Sequence, residues 1–101
     1  MELNGTRKGQ RLTVKLHGEL DHHSAERIRK ALDALLADHS IRELCLDMSC
    51  ITFMDSAGLG VVLGRYRNLH SRGGTVLLSG VPKQVDRIFR MSGVYALIQK
   101  V

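Results

Sequence analysis

Two short stretches of the chain gather side chains able to carry charge, move protons or accept a covalent group. They are Glu19-Leu20-Asp21-His22-His23 and Met54-Asp55-Ser56-Ala57-Gly58. A serine beside a carboxylate invites comparison with nucleophilic catalysis, but the pattern fails it. A nucleophile elbow requires G-x-S-x-G, and Met54 stands where the first glycine belongs. No third group is placed to activate Ser56 through a histidine. The phosphate-loop pattern G-x-x-x-x-G-K-[ST] is missing, as is G-x-G-x-x-G, and Gly58-Leu59-Gly60 alone is a weak signal. A serine hydrolase or phosphotransferase would need turnover that disappears with Ser56. Adjacent His22 and His23 suggest a metal, yet neighbouring residues at a helix start are expected to splay apart. They read as polar first-turn residues able to touch a partner, with no metal and no cofactor assigned.

Ser56 stands where a helix is expected to begin. In one reading it merely occupies the first turn, with Asp55 as the N-cap. In the other it takes a phosphate, which the free N–H groups and partial positive charge of a helix N-terminus tolerate. Phosphorylation adds about −1.5 to −2 charges and three strong acceptors. Beside Asp55, and near Asp21 if their strands are neighbours, that charge turns a neutral docking surface into a repulsive one. The helix itself is odd, holding Gly58, Gly60 and Gly64 although glycine costs about 1 kcal/mol per helical position relative to alanine. At 100° per residue Leu59, Val62, Leu63, Tyr66 and Leu69 form the expected core stripe, with Ala57, Gly60 and Gly64 almost opposite. Either another layer of the fold packs on that smooth face, or a partner's backbone or helix does.

The elements that position these loops follow from periodicity. Leu12, Val14 and Leu16 alternate with Thr13, Lys15 and His17 as a strand, preceded by a shorter one over Glu2–Thr6 through the turn at Lys8-Gly9. Ala25, Ile28, Leu32, Leu35 and Leu36 have helical spacing, and either Asp21 or Ser24 suits the cap. Leu44-Cys45-Leu46 reads as a short buried strand. A helix from Ser56 ends before Gly73-Gly74, and a strand over Thr75–Leu78 follows. A third helix opens at Pro82, buries Val85, Ile88 and Phe89, and stops at Gly93. Ala96-Leu97-Ile98 is expected to be a last strand. The order β-β-α-β-α-β-α-β predicts an α/β domain with a mostly parallel sheet, packed helices and right-handed crossovers. In such sheets the loops leaving the strands' carboxyl ends share one edge, which both chemistry-bearing stretches occupy.

Composition narrows the classes. The chain has 101 residues, which suits one domain with a core of its own. No apolar run approaches a membrane span and no signal peptide is seen, so a cytoplasmic location is expected. Cys45 and Cys50 are too few for a disulfide scaffold and are expected to be reduced. The net charge of +5 is uneven: from Gly60 onward seven basic residues face one acid, Asp86. A nucleic-acid binder would use that half, but aromatics are 4% and no recognition motif is present.

Three segments carry a family resemblance: Gly18-Glu19-Leu20-Asp21-His22-His23-Ser24-Ala25-Glu26, the run SCITFMDSAGLGVVLGR over Ser49–Arg65, and Met91-Ser92-Gly93. In order and spacing they resemble the bacterial anti-sigma factor antagonists of the STAS family, those of the sporulation sigma-F switch above all. The resemblance implies one STAS domain over residues 1–101. It implies a protein that binds an anti-sigma factor, itself a serine kinase, and so frees the sigma factor. That kinase, using ATP, would phosphorylate Ser56 and end the binding, and a PP2C-type serine phosphatase would reset it. No nucleic acid, membrane or cofactor belongs to this chain in that scheme. Asp21 matches the family acid beside the phosphoserine. Glu19, His22, Asp55, Gly58, Leu59, Gly60 and Arg65 fall in the docking region, to which the smooth face adds Ala57 and Gly64. Ala57 stands where relatives often have a second serine. The C-terminal helix usual in the family is expected to be absent or truncated here. A STAS partner switch of a different regulon has the same signature.

Overall fold

The computed structural model describes residues 1–101. Strands β1 (Glu2–Lys8) and β2 (Arg11–Leu20) form an antiparallel hairpin. Then follow α1 (Ala25–Leu36), β3 (Glu43–Met54), α2 (Ser56–His70), β4 (Thr75–Ser79), α3 (Lys83–Ser92) and β5 (Gln99–Lys100). The sheet order is β1-β2-β3-β4-β5, and every pair after the hairpin is parallel. The α/β class and the element order are as the sequence predicts. The three crossovers advance in one direction across the sheet, so right-handed connections place all three helices on one face. Burial agrees: Leu12, Val14 and Leu16 are buried beneath the helices, while Thr13, Lys15 and His17 on the other face stay half-exposed. On that open face Cys45 and Leu77 sit side by side in register, flanked by Thr13 and Gln99.

The core is continuous from α1 (Ile28, Leu32, Leu36) through β2, β3 and β4 to α3 (Val85, Phe89) and Val94 and Ile98 beyond it. Leu35, expected on the buried side of α1, is 37% exposed, because Leu32 and Leu36 already fill the sheet-facing arc. The buried stripe of α2 is also rotated from expectation. It consists of Gly58, Val61, Val62, Arg65 and Leu69, with Leu59, Leu63 and Tyr66 half-buried at its flank. The C-terminal segment departs further. Val94–Ala96 is a single 3-10 turn and the last strand is displaced to Gln99–Lys100. Gly93 ends α3 in the left-handed region at φ 78°, and Val94 must then turn inward to be buried, so the apolar run folds as a turn rather than a strand.

Strand β3 is far longer than its Leu44-Cys45-Leu46 centre. Its pairing with β4 ends at Asp47 opposite Ser79, but its pairing with β2 continues to Met54 opposite Leu20. Two register irregularities, each with the extra residue on β3, accommodate the run. The last seven residues of β3, Met48–Met54, therefore project past β4 with one edge unpaired.

Candidate functional site

Because β2 and β3 are neighbours and leave the sheet on the same edge, the Glu19–His23 loop and the Asp55–Gly58 turn are brought together, as the topology predicts. Asp55 is the clasp. Its backbone is extended at φ −119°, ψ −170°, as an N-cap requires. Its Oδ1 accepts from the N–H groups of Ala57 (2.9 Å) and Gly58 (3.2 Å). Its Oδ2 accepts from the His22 N–H at 3.0 Å and lies 3.1 Å from His22 Nδ1. The Asp55 N–H in turn donates to the Leu20 carbonyl at 3.4 Å. The His22 ring is the main reason the Asp55 carboxyl lies below its ordinary value; desolvation opposes the shift, and the N–H donors of Gly58, His22 and Ala57 reinforce it.

Asp21 builds the other half. Its Oδ1 accepts from the N–H groups of His23 (2.9 Å) and Ser24 (3.1 Å), and its carbonyl receives the Ala25 N–H at 2.8 Å. Ser24 occupies the position before α1 but its hydroxyl caps nothing on the helix; it donates to the Glu19 carbonyl at 2.7 Å. Desolvation pushes the Asp21 carboxyl up, but the His23 and Ser24 backbone donors and the nearby His23 and His22 leave it below its ordinary value. The two imidazoles do not splay apart as expected. Their centroids are 4.1 Å apart at a 40° tilt, because His22 is drawn back over the loop by Asp55.

Ser56 is the first residue of α2 and is exposed. Two surface hollows exist, one over Lys83, Asp86, Arg87 and Met91 of α3 and one between β1 and the end of α1; neither is lined by Ser56. Glu19 and Gly60 are exposed, and Ala57, Leu59 and Gly64 are half-buried. A Cβ added at Gly60 or Gly64 meets nothing within 4 Å, so no layer of this fold packs on the small-residue face.

Gly58 and Arg65 belong elsewhere than on an accessible docking face. Gly58 is buried, and a Cβ there would stand 2.3 Å from the Leu20 carbonyl oxygen and 2.8 Å from Met54 Cγ. Its lack of a side chain lets the first turn of α2 sit on the ends of β2 and β3, which holds Ser56 at the sheet edge. Arg65 is 8% exposed and pairs through Nε with Asp33 Oδ1 of α1 at 3.1 Å. Desolvation lowers its affinity for the proton and Asp33 counters this, so the cation joins α1 to α2. Asp33 was not singled out among the sequence candidates. The available signal was Arg65 itself, a charge at helical spacing from Val62 and Leu69 that must find a partner when buried.

Residues 3–101 match the STAS domain family. The anti-sigma F factor antagonist of Paenibacillus polymyxa is 37% identical over 87 residues, which are 86% of this chain and 74% of that protein. The anti-sigma factor antagonist SpoIIAA in its unphosphorylated form superposes with a TM-score of 0.85 at 28% identity, over 99% of this chain and 88% of that one. SpoIIAA in the phosphorylated form gives a TM-score of 0.79 at 27% identity, over 99% and 91%. The family match spans the hairpin, the clasped loops and the final strand alike: this chain belongs to the STAS domain family.

Proposed function

We propose that this protein is an anti-sigma factor antagonist, switched by phosphorylation of Ser56. In its unphosphorylated form it binds an anti-sigma factor that is also a serine kinase, and thereby releases the sigma factor. The observation that carries the reading is the exposed Ser56 at the N-terminus of α2, beside the Asp55 clasp and at the edge of the open Gly60/Gly64 face. The fold tolerates a phosphate there, since the first turn of a helix favours negative charge. The surface does not stay the same: about two added charges beside Asp55 and the Asp21 loop repel a partner seated over them.

The chain needs no catalytic apparatus for this. Ser56 is exposed and lines neither surface hollow, which suits a serine presented to another protein's active site. ATP belongs to the kinase, a PP2C-type phosphatase removes the group, and neither nucleic acid nor membrane takes part. No helix is long and apolar enough to cross a membrane, and we place the protein in the cytoplasm with the transcription machinery it serves.

The test is incubation with candidate anti-sigma kinases and ATP, mass mapping of the product, and titration of variants. Phosphate is expected on Ser56 alone. Ser56→Ala should bind the kinase and remain bound in the presence of ATP, whereas Ser56→Asp should lose most of its affinity. Equal binding by both variants would sink the mechanism. Salt-dependent DNA binding in an anisotropy assay would instead favour use of the basic half of the chain.

A further inference from the structure

The two phenylalanines of the chain have opposite fates. Phe89 is fully buried, and Phe53 is 48% exposed. The two tyrosines are half-buried, so Phe53 is the most exposed of the four Phe and Tyr residues. Its neighbours explain why it cannot turn inward. Met54 takes the core position at the end of β3, opposite Leu20, and alternation along the strand sends Phe53 outward, in register with the exposed Glu19. Phe53 also lies on the part of β3 that outruns β4. From Met48 to Met54 the strand pairs with β2 alone, and Ser49, Thr52 and Phe53 are all exposed.

An unpaired strand edge carrying an exposed aromatic is a surface that invites association. Elsewhere the chain disarms a long free edge: β1, an outer strand of the sheet, carries Glu2, Arg7 and Lys8, with Arg7 tied to Asp38. The Ser49–Phe53 overhang has no charged residue at all. Phe53 precedes Ser56 by three residues, so their Cα atoms are at most about 11 Å apart. A kinase that takes the Ser56 hydroxyl into its active site covers an area much wider than that.

We propose that Phe53 is an apolar anchor for the serine kinase that acts on Ser56, and that the free edge of β3 beside it forms part of the same contact. The inference rests on the function proposed above and extends the docking surface from α2 across to the overhang of β3. Aromatic side chains that insert into a pocket of the partner carry a disproportionate share of binding energy. Phe53 acts on affinity and not on chemistry, because its side chain has no polar group and takes no part in the hydrogen bonds of the clasp.

The test compares wild type, Phe53→Ala, Phe53→Leu, Thr52→Arg and Leu35→Ala in binding to, and phosphorylation by, the kinase that modifies Ser56. Leu35 is exposed at the far end of α1 and serves as the control. Phe53→Ala is expected to raise both Kd and KM by about ten-fold or more with kcat within about two-fold. Phe53→Leu should recover most of the loss, and Thr52→Arg should weaken binding by crowding the free edge. Leu35→Ala should bind as wild type does. Circular dichroism and thermal melting check that each variant is folded; Phe53 lies outside the core, so its loss should leave the midpoint nearly unchanged. Wild-type phosphorylation on Ser56 together with unchanged Kd and KM for Phe53→Ala and Thr52→Arg overturns the anchor and leaves the proposed function standing. Failure of every kinase to modify Ser56 in the wild type overturns both.

Discussion

At the scale of single residues, the site depends on one carboxylate used to capacity. Asp55 Oδ1 satisfies two otherwise free N–H groups of α2, and Oδ2 holds His22 through backbone and ring. Removing it releases three backbone donors together and unties the β2–α1 loop from α2. Asp55→Ala is therefore expected to lower the thermal midpoint and slow phosphorylation of Ser56 well before it affects the rest of the core. Asp55→Asn keeps an acceptor for Ala57 and Gly58 but turns an amide donor toward the His22 N–H, so it should fall between the two. Identical melting curves and phosphorylation rates for wild type and Asp55→Ala would show that the clasp has no consequence. His22 acts through Asp55, and His22→Ala should reproduce part of this effect with Ser56 and Asp21 intact.

At the scale of the element, α2 has two kinds of glycine, and its residues separate what was legible from what was not. The length of α2 and its start at Ser56 were readable, because Asp55 suits a cap and Gly73-Gly74 breaks the chain. The orientation was not. Gly58 and Arg65 lie in the buried arc, and neither registers as apolar, so hydrophobic spacing alone shifted the core stripe toward Leu59, Leu63 and Tyr66. A glycine is buried there because backbone approaches backbone, which only the packed partner reveals. Substitution separates the two kinds. Gly58→Ala forces a methyl group onto the Leu20 carbonyl and should destabilise by about 1–3 kcal/mol. Gly60→Ala meets open space and should stabilise the free protein by up to about 1 kcal/mol. If the kinase backbone rests on that face, the same methyl group weakens binding while the midpoint rises. Denaturant melts paired with a binding titration read both; a Gly60→Ala variant that binds more tightly would remove the docking role of the face. Arg65→Leu tests the α1–α2 contact: it leaves Asp33 paired with Arg29 of its own helix alone and cuts the ion pair to α2, so the thermal midpoint should fall.

At the scale of the molecule, the fold was readable where strands and helices alternate and unreadable where a local cap decides. Ala96-Leu97-Ile98 has the composition of a strand, but the left-handed Gly93 and the inward turn of Val94 convert its start to a 3-10 turn. Charge is also distributed by the fold in a way that counts from the sequence do not give. The acids are engaged: Asp21, Glu26, Asp38, Asp47, Asp55 and Asp86 all titrate below their ordinary values. Asp38 is held lowest, at about 2, first by the Ser40 hydroxyl and N–H and then by Arg7, so it fastens the outer strand β1 to the loop before β3. Each of these groups binds its proton more weakly in the folded chain than in the unfolded one. Their stabilising effect is complete above the unfolded values of 3.8 for Asp and 4.5 for Glu, and is lost as pH falls through the folded values toward about 2. Protonation also removes the negative charge that offsets 15 Lys and Arg, so self-repulsion adds to the loss. Thermal midpoints measured between pH 6 and pH 2 should therefore hold steady down to about pH 5 and drop steeply below about pH 4. Asp38→Asn should start from a lower midpoint and show a shallower acid decline, because the group with the widest gap between its two states no longer titrates. A midpoint that stays constant down to pH 3, or an unchanged slope in Asp38→Asn, would mean that these carboxylate contacts do not persist in solution.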